Sequence, residues 1–328
     1  MSPVFDEVYA ERGRASVPPE RLLKAMLLMA LYGVRSERQL CEQLRYNMML
    51  RWFLDMSMTE DVFDASTFSK NRERFLGVEM TAQFFDGVVE QARMKRLMSD
   101  EHFSVDGTLI EAWASMNSYQ KKDASKRNDD DEPRPPASKK KGWRGKGKSF
   151  RGRRRRNQTH ASKTDPEAKL YRKGFGKEAK LCFIGHVLSE NRNGLIVDMD
   201  LTGASGTAER EAAMGMIDGA IPGRRHRTLA ADAGYHTRAF VEDLRDRGIT
   251  PHVAMRKYAA IDGRTTRVAG YEKSQRCRRI AEGINGWLKG VGRMAKTRFK
   301  GVMRSKSALM MYGAAYNLLR MSKLLAPA

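Results

Sequence analysis

After residue 100 the sequence alternates between short β-rich segments and segments with the periodicity of helices. The predicted strands are 103–110, 181–188, 195–201, 228–231 and 250–255, and the predicted helices are 207–217 and 237–246. The strands are rich in β-branched and aromatic residues, whereas apolar residues recur at helical spacing in the other segments. Strands followed by alternating helices and strands are typical of a mixed sheet. We therefore predict an α/β domain over residues 101–328.

Residues 1–100 have helical periodicity and no strand pattern. Ser36 and Gln39 form the capping box of one short helix, and a later helix carries the basic residues Lys70 and Arg72. Short helices with tight connections and a basic last helix are typical of a helix-turn-helix module. We therefore predict an all-helical DNA-binding region in which Lys70 and Arg72 contact DNA. The alternative is a plain helical bundle with a basic polar surface.

Residues 120–163 interrupt the α/β pattern because they lack apolar periodicity. An acidic run at 129–132 is followed by a basic tract without acidic residues. The residues of this tract that we predict to contact DNA are Lys139, Lys140, Lys141, Arg144, Arg153, Arg154, Arg155 and Arg156. So polar a segment cannot bury enough surface to order itself. We predict a disordered insertion that binds DNA without reading its sequence, through counterion release. A solvated linker is the alternative.

The net charge of the chain indicates a polyanionic partner. The 328 residues include 61 Lys and Arg against 39 Asp and Glu, a net charge of +22. Self-repulsion of this size costs stability unless a polyanion offsets it, and double-stranded DNA is the first candidate. An anionic membrane is the weaker candidate, because the longest apolar run, residues 25–31, is far shorter than the roughly 20 residues that span a bilayer. We therefore expect a cytoplasmic protein that binds DNA.

Two nucleotide-binding patterns occur in the wrong structural context. Residues 142–149 match the phosphate-loop pattern, but a basic tract surrounds them instead of a buried strand and a helix. Residues 174–179 match the dinucleotide fingerprint loosely, and the preceding segment is not a buried strand. A phosphate-loop ATPase therefore remains an alternative, but only the sequence pattern at residues 142–149 supports it.

Three acidic residues are predicted to lie on rigid elements. Asp106 lies within a strand, Asp232 follows one, and Glu282 lies in a segment with helical spacing. Arg278 precedes Glu282 by one helical turn and Lys289 follows it by two, so all three share a face on which the bases could hold a DNA backbone. Phosphodiester chemistry with Mg²⁺ uses carboxylates that meet at one point. A turn role for the aspartates and a solvated ion pair for the glutamate are the alternatives.

The segments around the two aspartates resemble motifs of DDE transposases with a ribonuclease-H-like core. Residues 104–108, Ser-Val-Asp-Gly-Thr, resemble the first-Asp motif of the insertion-sequence-five family of bacterial transposases. Residues 229–235, Leu-Ala-Ala-Asp-Ala-Gly-Tyr, resemble its second motif. Residues 64–72 and 180–186 are also similar to that family, so the resemblance extends over nearly the whole chain.

The third motif of that family consists of Tyr, two residues, Arg, three residues, Glu, six residues and Lys. Arg278, Glu282 and Lys289 match this spacing. Gln275 stands at the Tyr position, which leaves the role of the tyrosine without a residue.

The resemblance implies a ribonuclease-H-like catalytic domain and a transposase of an insertion sequence. Such an enzyme binds terminal inverted repeats and catalyses DNA strand cleavage and strand transfer. Asp106 and Asp232 would bridge two Mg²⁺ ions, which Mn²⁺ could replace, and Glu282 would complete one of the two sites. Because the inverted ends come in pairs, the resemblance implies a homodimer on DNA, in a bacterial nucleoid. A DNA-binding protein without catalytic activity is the alternative.

Overall fold

The computed structural model describes residues 17–75, 78–122, 155–174, 176–221, 226–256 and 265–326. Within these ranges, helices alone precede the first strand, so the predicted helical N-terminal region is confirmed. The helices are α1 (Pro19–Leu31), α2 (Glu37–Tyr46), α3 (Met48–Phe53), α4 (Ala65–Phe75) and α5 (Val78–Met94).

Side-chain caps explain the tight joints between these helices. The Ser36 hydroxyl accepts a hydrogen bond of 3.1 Å from the backbone N–H of Gln39 at the start of α2. At the start of α3, the Asn47 side-chain oxygen accepts one of 3.2 Å from the N–H of Leu50. Each cap satisfies a backbone donor that has no partner within the helix, and therefore fixes where the helix begins.

The strands of the described residues form one large sheet and one small one. They are β1 (His102–Glu111), β2 (Tyr119–Lys121), β3 (His160–Ser162), β4 (Lys169–Tyr171), β5 (Lys180–Glu190), β6 (Ile196–Gly203), β7 (Arg227–Ala231) and β8 (Ile249–Val253). The six-stranded sheet has the order β6–β5–β1–β7–β8, and β4 pairs with the first residues of β5. β5 is antiparallel to β1 and β6, whereas β1, β7 and β8 are parallel. This is the predicted ribonuclease-H-like mixed sheet.

Helices cover both faces of this sheet. They are α6 (Ala208–Ala220), α7 (Arg238–Asp246), α8 (Tyr271–Cys277), α9 (Arg279–Gly290) and α10 (Val302–Leu325). On one face, Val105 of β1 packs in a cluster with Ile217 of α6 and Phe240 of α7. On the opposite face, Ile110 of β1 belongs to a cluster with Leu288 of α9. Odd- and even-numbered residues of β1 therefore point to opposite faces of the sheet, as the pleat of a strand requires.

The two predicted regions share one apolar core. Leu22 of α1, Phe85 of α5, Met199 of β6 and Leu309 of α10 belong to the same cluster of buried side chains. The apolar core is therefore continuous across the predicted boundary near residue 100. In the part of the chain that the structure describes, no helix has the length and apolar character needed to cross a membrane.

The predicted disordered insertion at 120–163 needs correction at both ends. Tyr119–Lys121 and His160–Ser162 pair as antiparallel strands, with Gln120 opposite Ala161. The Tyr119 ring is buried, and its hydroxyl donates a hydrogen bond of 2.9 Å to Asn157. The segment therefore begins and ends at a two-stranded sheet that holds its two ends side by side. Residues 123–154 lie outside the described residues.

The structure also bears on the two nucleotide-binding patterns. Residues 142–149 lie outside the described residues. Residues 174–179 belong to the connection between β4 and β5, which are antiparallel neighbours. A dinucleotide fingerprint requires a strand, a tight turn and a helix, so these residues do not form one.

Candidate active site

Asp106 and Asp232 lie on neighbouring parallel strands, just beyond the point where the pairing of those strands ends. The last pair in the β1–β7 register joins Ser104 to Ala230. Each aspartate follows its member of this pair by two residues, so the two occupy equivalent positions along the strands. The carboxyl ends of parallel strands that part in this way form a crevice in which α/β proteins place their chemistry.

Each aspartate is oriented by a hydrogen bond. Asp106 Oδ2 accepts one of 2.9 Å from Asn285 Nδ2 of α9. Asp232 Oδ1 accepts one of 2.7 Å from the backbone N–H of Gly234, which caps a 3₁₀ turn at Ala233–Tyr235. Asp232 therefore caps a turn, which was the alternative role considered for it. The capping bond involves only Oδ1 of its carboxylate.

The environment of Asp106 disfavours its negative charge. Burial raises the pKa of Asp106, the hydrogen bond from Asn285 lowers it, and the negative charge of Asp232 raises it again, with a net increase. The positive charges of Lys173 and Arg278 act against this increase. Two carboxylates at the end of a buried crevice repel each other, so a bound cation would stabilise both in their charged form.

Helix α9 presents one face to Asp106. Arg278 precedes this helix, and Glu282, Asn285 and Lys289 follow at helical spacing. Glu282 Oε1 forms an ion pair of 2.8 Å with Arg278 Nη2, and the Glu282 side chain is 51% exposed. The structure thus brings Asp106 and Asp232 together, whereas Glu282 pairs with Arg278, whose positive charge also acts on Asp106.

Lys289 is half-buried at the end of this face. Burial lowers the pKa of Lys289 and the nearby Lys173 lowers it further, whereas Asp106 and Cys182 raise it. Its ammonium group therefore lies among the groups around Asp106. Arg278, not Lys289, is the cation that pairs with Glu282 in the described part of the chain.

The donor set fits a hard divalent cation, although it is not yet closed around one. Among the residues that the structure describes, no three Asp, Glu, His or Cys side chains converge closely enough to bind one metal ion. Carboxylate and amide oxygens are the ligands that Mg²⁺ prefers, and it retains several waters. The buried Asn285 Oδ1, on the residue that bonds Asp106, has no hydrogen-bond partner in the described ranges. A site formed by Asp106, Asp232 and Glu282 requires Glu282 to move toward the two aspartates.

Gln275 stands at the position where the resembled motif has Tyr. Its side-chain nitrogen donates hydrogen bonds to the backbone carbonyls of Ala231, at 3.3 Å, and His252, at 2.5 Å. Ala231 directly precedes Asp232, so Gln275 joins α8 to the ends of β7 and β8. Its amide therefore fixes the strand end that carries the second aspartate, by a contact with the backbone.

Besides Asn285, two residues near the aspartates were given no role from the sequence. Glu209, in the first turn of α6, interacts electrostatically with Asp232 and Asp106. Tyr235 is 1% exposed, and its hydroxyl has no hydrogen-bond partner among the described residues. Glu209 lies in a segment that was predicted to be helical, whereas Tyr235 lies in a 3₁₀ turn that was not predicted. No local pattern indicates which strand end a helix will reach.

The basic residues predicted to contact DNA fall into three groups. Lys139, Lys140, Lys141, Arg144, Arg153 and Arg154 lie outside the described residues. Arg155 and Arg156 are exposed immediately before β3, and Lys70 is exposed on α4. These three side chains are accessible to a partner.

The prediction that Arg72 contacts DNA needs correction. Its side chain is only 14% exposed and forms an ion pair with Glu37 of α2. Its guanidinium lies 5.0 Å from the centroid of the Phe299 ring. Arg72 therefore joins α4 to Glu37 of α2 and to Phe299, which are both distant from it in sequence.

Replacing Arg72 with Ala is expected to destabilise the protein by about 1–3 kcal/mol, because the largely buried carboxylate of Glu37 loses its partner. Lys70→Ala, on the same helix, is the matched control and should leave stability unchanged while weakening DNA binding. Urea denaturation and DNA titration of both variants check this. An Arg72→Ala protein with normal stability and weakened DNA binding would restore the original interpretation.

Solved structures give only distant matches. The Mos1 transposase paired-end complex with left transposon end is 11% identical, over 90% of this chain and 86% of that chain, with a TM-score of 0.22. The Mos1 Strand Transfer Complex is 12% identical, over 91% and 84%, with a TM-score of 0.21. The Mos1 mariner paired end complex with Mn is 12% identical, over 99% and 85%, with a TM-score of 0.22. TM-scores this low support no conclusion about this chain.

Comparison with curated protein sequences yields no significant match. Two models of protein families, by contrast, match the sequence. The family described as "Transposase domain (DUF772)" matches residues 1–74, and the family described as "Transposase DDE domain" matches residues 98–318. The second match includes both aspartates and the whole of α9. Because it spans more than half of the sequence, the chain belongs to the DDE transposases.

Proposed function

We propose that this transposase cleaves DNA at the inverted repeats of an insertion sequence, with Asp106, Asp232 and Glu282 as its metal-binding catalytic residues. Membership of the DDE transposases implies dependence on a divalent metal ion and a reaction of strand cleavage and strand transfer. The identity of the three residues, the use of two Mg²⁺ or Mn²⁺ ions and the inverted-repeat substrate belong to the proposal.

The observation that carries the proposal is the equivalent placement of Asp106 and Asp232. Both follow the last pair of the parallel β1–β7 register by two residues, and the charge of Asp232 raises the pKa of Asp106. Carboxyl groups whose pKa is perturbed by burial and by a neighbouring charge cluster at functional sites, which supports the proposal. Strand ends are also rigid supports, which metal-assisted chemistry needs.

The other residues of the α9 face have distinct roles in this proposal. Mg²⁺ held by Asp106, Asp232 and Glu282 would supply activation of the attacking oxygen and stabilisation of the leaving 3′ oxygen. Asn285 holds the Asp106 carboxylate in one orientation through its 2.9 Å hydrogen bond. Arg278 and Lys289 hold DNA phosphates near the two aspartates, and Arg278 releases Glu282 when a phosphate takes its place. Phosphate contacts of this kind position the strand and do not read sequence.

The proposed partners are double-stranded DNA and a second copy of the chain. The net charge of +22 and the exposed Lys70, Arg155 and Arg156 support binding to a polyanion. The two inverted ends of an element need to be held together, and a homodimer on DNA supplies two equivalent sites. A location in the bacterial nucleoid follows from the same substrate.

A DNA-binding protein without catalytic activity is the competing function. The ion pair between Glu282 and Arg278 favours it, because this pair leaves Glu282 away from the two aspartates. Binding to DNA is common to both functions, so only a cleavage assay separates them.

The assay uses the purified chain and a duplex that carries the inverted repeat found beside its gene. We expect strand breaks at the end of the repeat with Mg²⁺ or Mn²⁺ and none with a chelator. A duplex with a scrambled repeat is the control and should be bound but not cut. Tight binding to the repeat without any cleavage in either metal would support the DNA-binding function and contradict the proposal.

A further inference from the structure

Glu209 reaches the strand end that carries Asp106. A Cβ atom at Gly107 would overlap Oε1 of Glu209, so the carboxylate occupies the space that a side chain at position 107 would fill. Gly107 directly follows Asp106 in β1, and only a residue without a side chain allows this approach. The contact therefore places the carboxylate against the backbone beside the first aspartate.

The carboxylate of Glu209 also lies near Asp232. Glu209 feels the negative charges of both Asp232 and Asp106, together with the positive charges of Lys173 and Arg210. The β1–β7 register ends before the two aspartates, so the two strands are no longer paired at the level of Asp106 and Asp232. Three acidic side chains on three different elements thus approach the same crevice.

The positive charge of Arg210 does not fully offset this crowding, because burial and the charges of Asp232 and Asp106 raise the pKa of Glu209 on balance. Its guanidinium donates hydrogen bonds of 3.2 Å and 3.0 Å to the backbone carbonyls of Gly234 and Gly206. The arginine therefore holds the start of α6 against the turn that follows Asp232. It brings Glu209 to the crevice, while its donors are directed to the backbone.

The hydroxyl of Tyr235 supplies independent support for a ligand at this point. Tyr235 is 1% exposed and its hydroxyl has no partner among the described residues. The groups that act on it electrostatically are Glu209, Asp106 and Asp232, in that order, followed by Arg210. A buried hydroxyl without a partner costs free energy, so it is expected to donate to a carboxylate when the crevice is filled.

We propose that Glu209 is a further ligand of the metal ions that Asp106 and Asp232 bind. This inference rests on the proposed function, and it adds a residue that the three family motifs do not contain. A divalent cation between the acids would offset their repulsion. The three carboxylates do not converge closely enough in the described residues to hold one ion, so Glu209 would shift toward the aspartates to complete the site. The first turn of α6 also stabilises the negative charge of Glu209.

The test is Mn²⁺ binding to the full chain without DNA, measured by electron paramagnetic resonance of the free ion. Glu209→Gln is expected to weaken Mn²⁺ binding by about 10-fold or more, the effect typical of lost groups at metal sites. Glu211→Gln, on the exposed side of the same helix, is the matched control and should bind as the unmodified protein does. Asp106→Asn reports on the metal site itself and should also lose affinity.

Gly107→Ala gives the same test without changing any charge. The new methyl group would displace the Glu209 carboxylate, which is the end of a flexible side chain, so the fold should survive. Mn²⁺ affinity is expected to fall in this variant too, with an unchanged circular dichroism spectrum. Glu209→Gln should melt no lower than the unmodified protein in the absence of metal, because it removes a repelling charge.

The outcomes separate this inference from the proposed function. Loss of Mn²⁺ binding in Asp106→Asn, with unchanged binding in both Glu209→Gln and Gly107→Ala, overturns the role of Glu209 alone. Unchanged binding in Asp106→Asn overturns the metal site as a whole. Weaker binding in all three variants, with Glu211→Gln unaffected, supports the inference.

Discussion

Asp106→Asn, Asp232→Asn and Glu282→Gln are each expected to reduce strand cleavage by about 10³-fold or more. Each change keeps the shape of the side chain and removes the negative charge that would bind the metal. DNA binding should remain within about twofold, because basic surfaces supply the affinity and these residues are acidic. Single-turnover cleavage of a duplex that carries the inverted repeat, with Mg²⁺, measures the effect, and a gel-shift titration measures binding.

Glu242→Gln is the control for these three variants. Glu242 pairs with Arg238 on the surface of α7, where a loss of charge should change neither cleavage nor binding. Any of the three variants that cleaves at the rate of the unmodified protein does not carry a metal ligand. Glu282→Gln is the most informative of them, since Glu282 is the only one of these three acids that forms an ion pair within the described residues.

Removing residues 139–154 is expected to weaken binding to every DNA by about 10²-fold or more at low salt, whatever its sequence. The deletion removes nine Lys and Arg residues and no acidic residue. The slope of log affinity against log salt should become flatter by several units, because each phosphate contact contributes about 0.9 to it. Titrations of repeat-bearing and scrambled duplexes at several salt concentrations test both statements.

The two-stranded sheet of β2 and β3 determines where this deletion can be made. The carbonyl of Arg156 accepts hydrogen bonds from the backbone N–H groups of Thr159 and His160, so Arg155 and Arg156 are kept. A second variant replaces residues 139–154 with a Gly/Ser segment of equal length and serves as the control for the shortened loop. If its salt slope equals that of the unmodified protein, the segment is a solvated linker.

Elements with a strong local signal could be predicted from the sequence. Periodicity and capping residues gave the helices that begin after Ser36 and Thr237, and β-rich runs gave β1, β5 and β6. The short strands β2, β3 and β4 were missed because three residues carry no measurable periodicity. The partner residues of β2 and β3 also lie about 40 positions apart in the sequence. The polar composition of the insertion therefore gave no indication that its two ends pair as strands.

The site could be predicted only in part, because register and long-range packing are not local properties. Asp106 and Asp232 were selected as residues at strand ends, but their equivalent positions depend on how β1 and β7 pair. Asn285 follows Glu282 by three residues, so helical spacing could have identified it. Glu209 could not be found in this way, since its approach depends on the path of α6 over Gly107.

The position of Mn²⁺ in crystals of the protein with its DNA ends, located by anomalous scattering, is the most direct measurement of the central claim. The account predicts an ion within about 2.0–2.3 Å of a carboxylate oxygen of both Asp106 and Asp232. It also predicts that a DNA phosphate lies beside that ion. Crystals in which Mn²⁺ is bound elsewhere while a scissile phosphate occupies the crevice without contact to either aspartate would contradict the account.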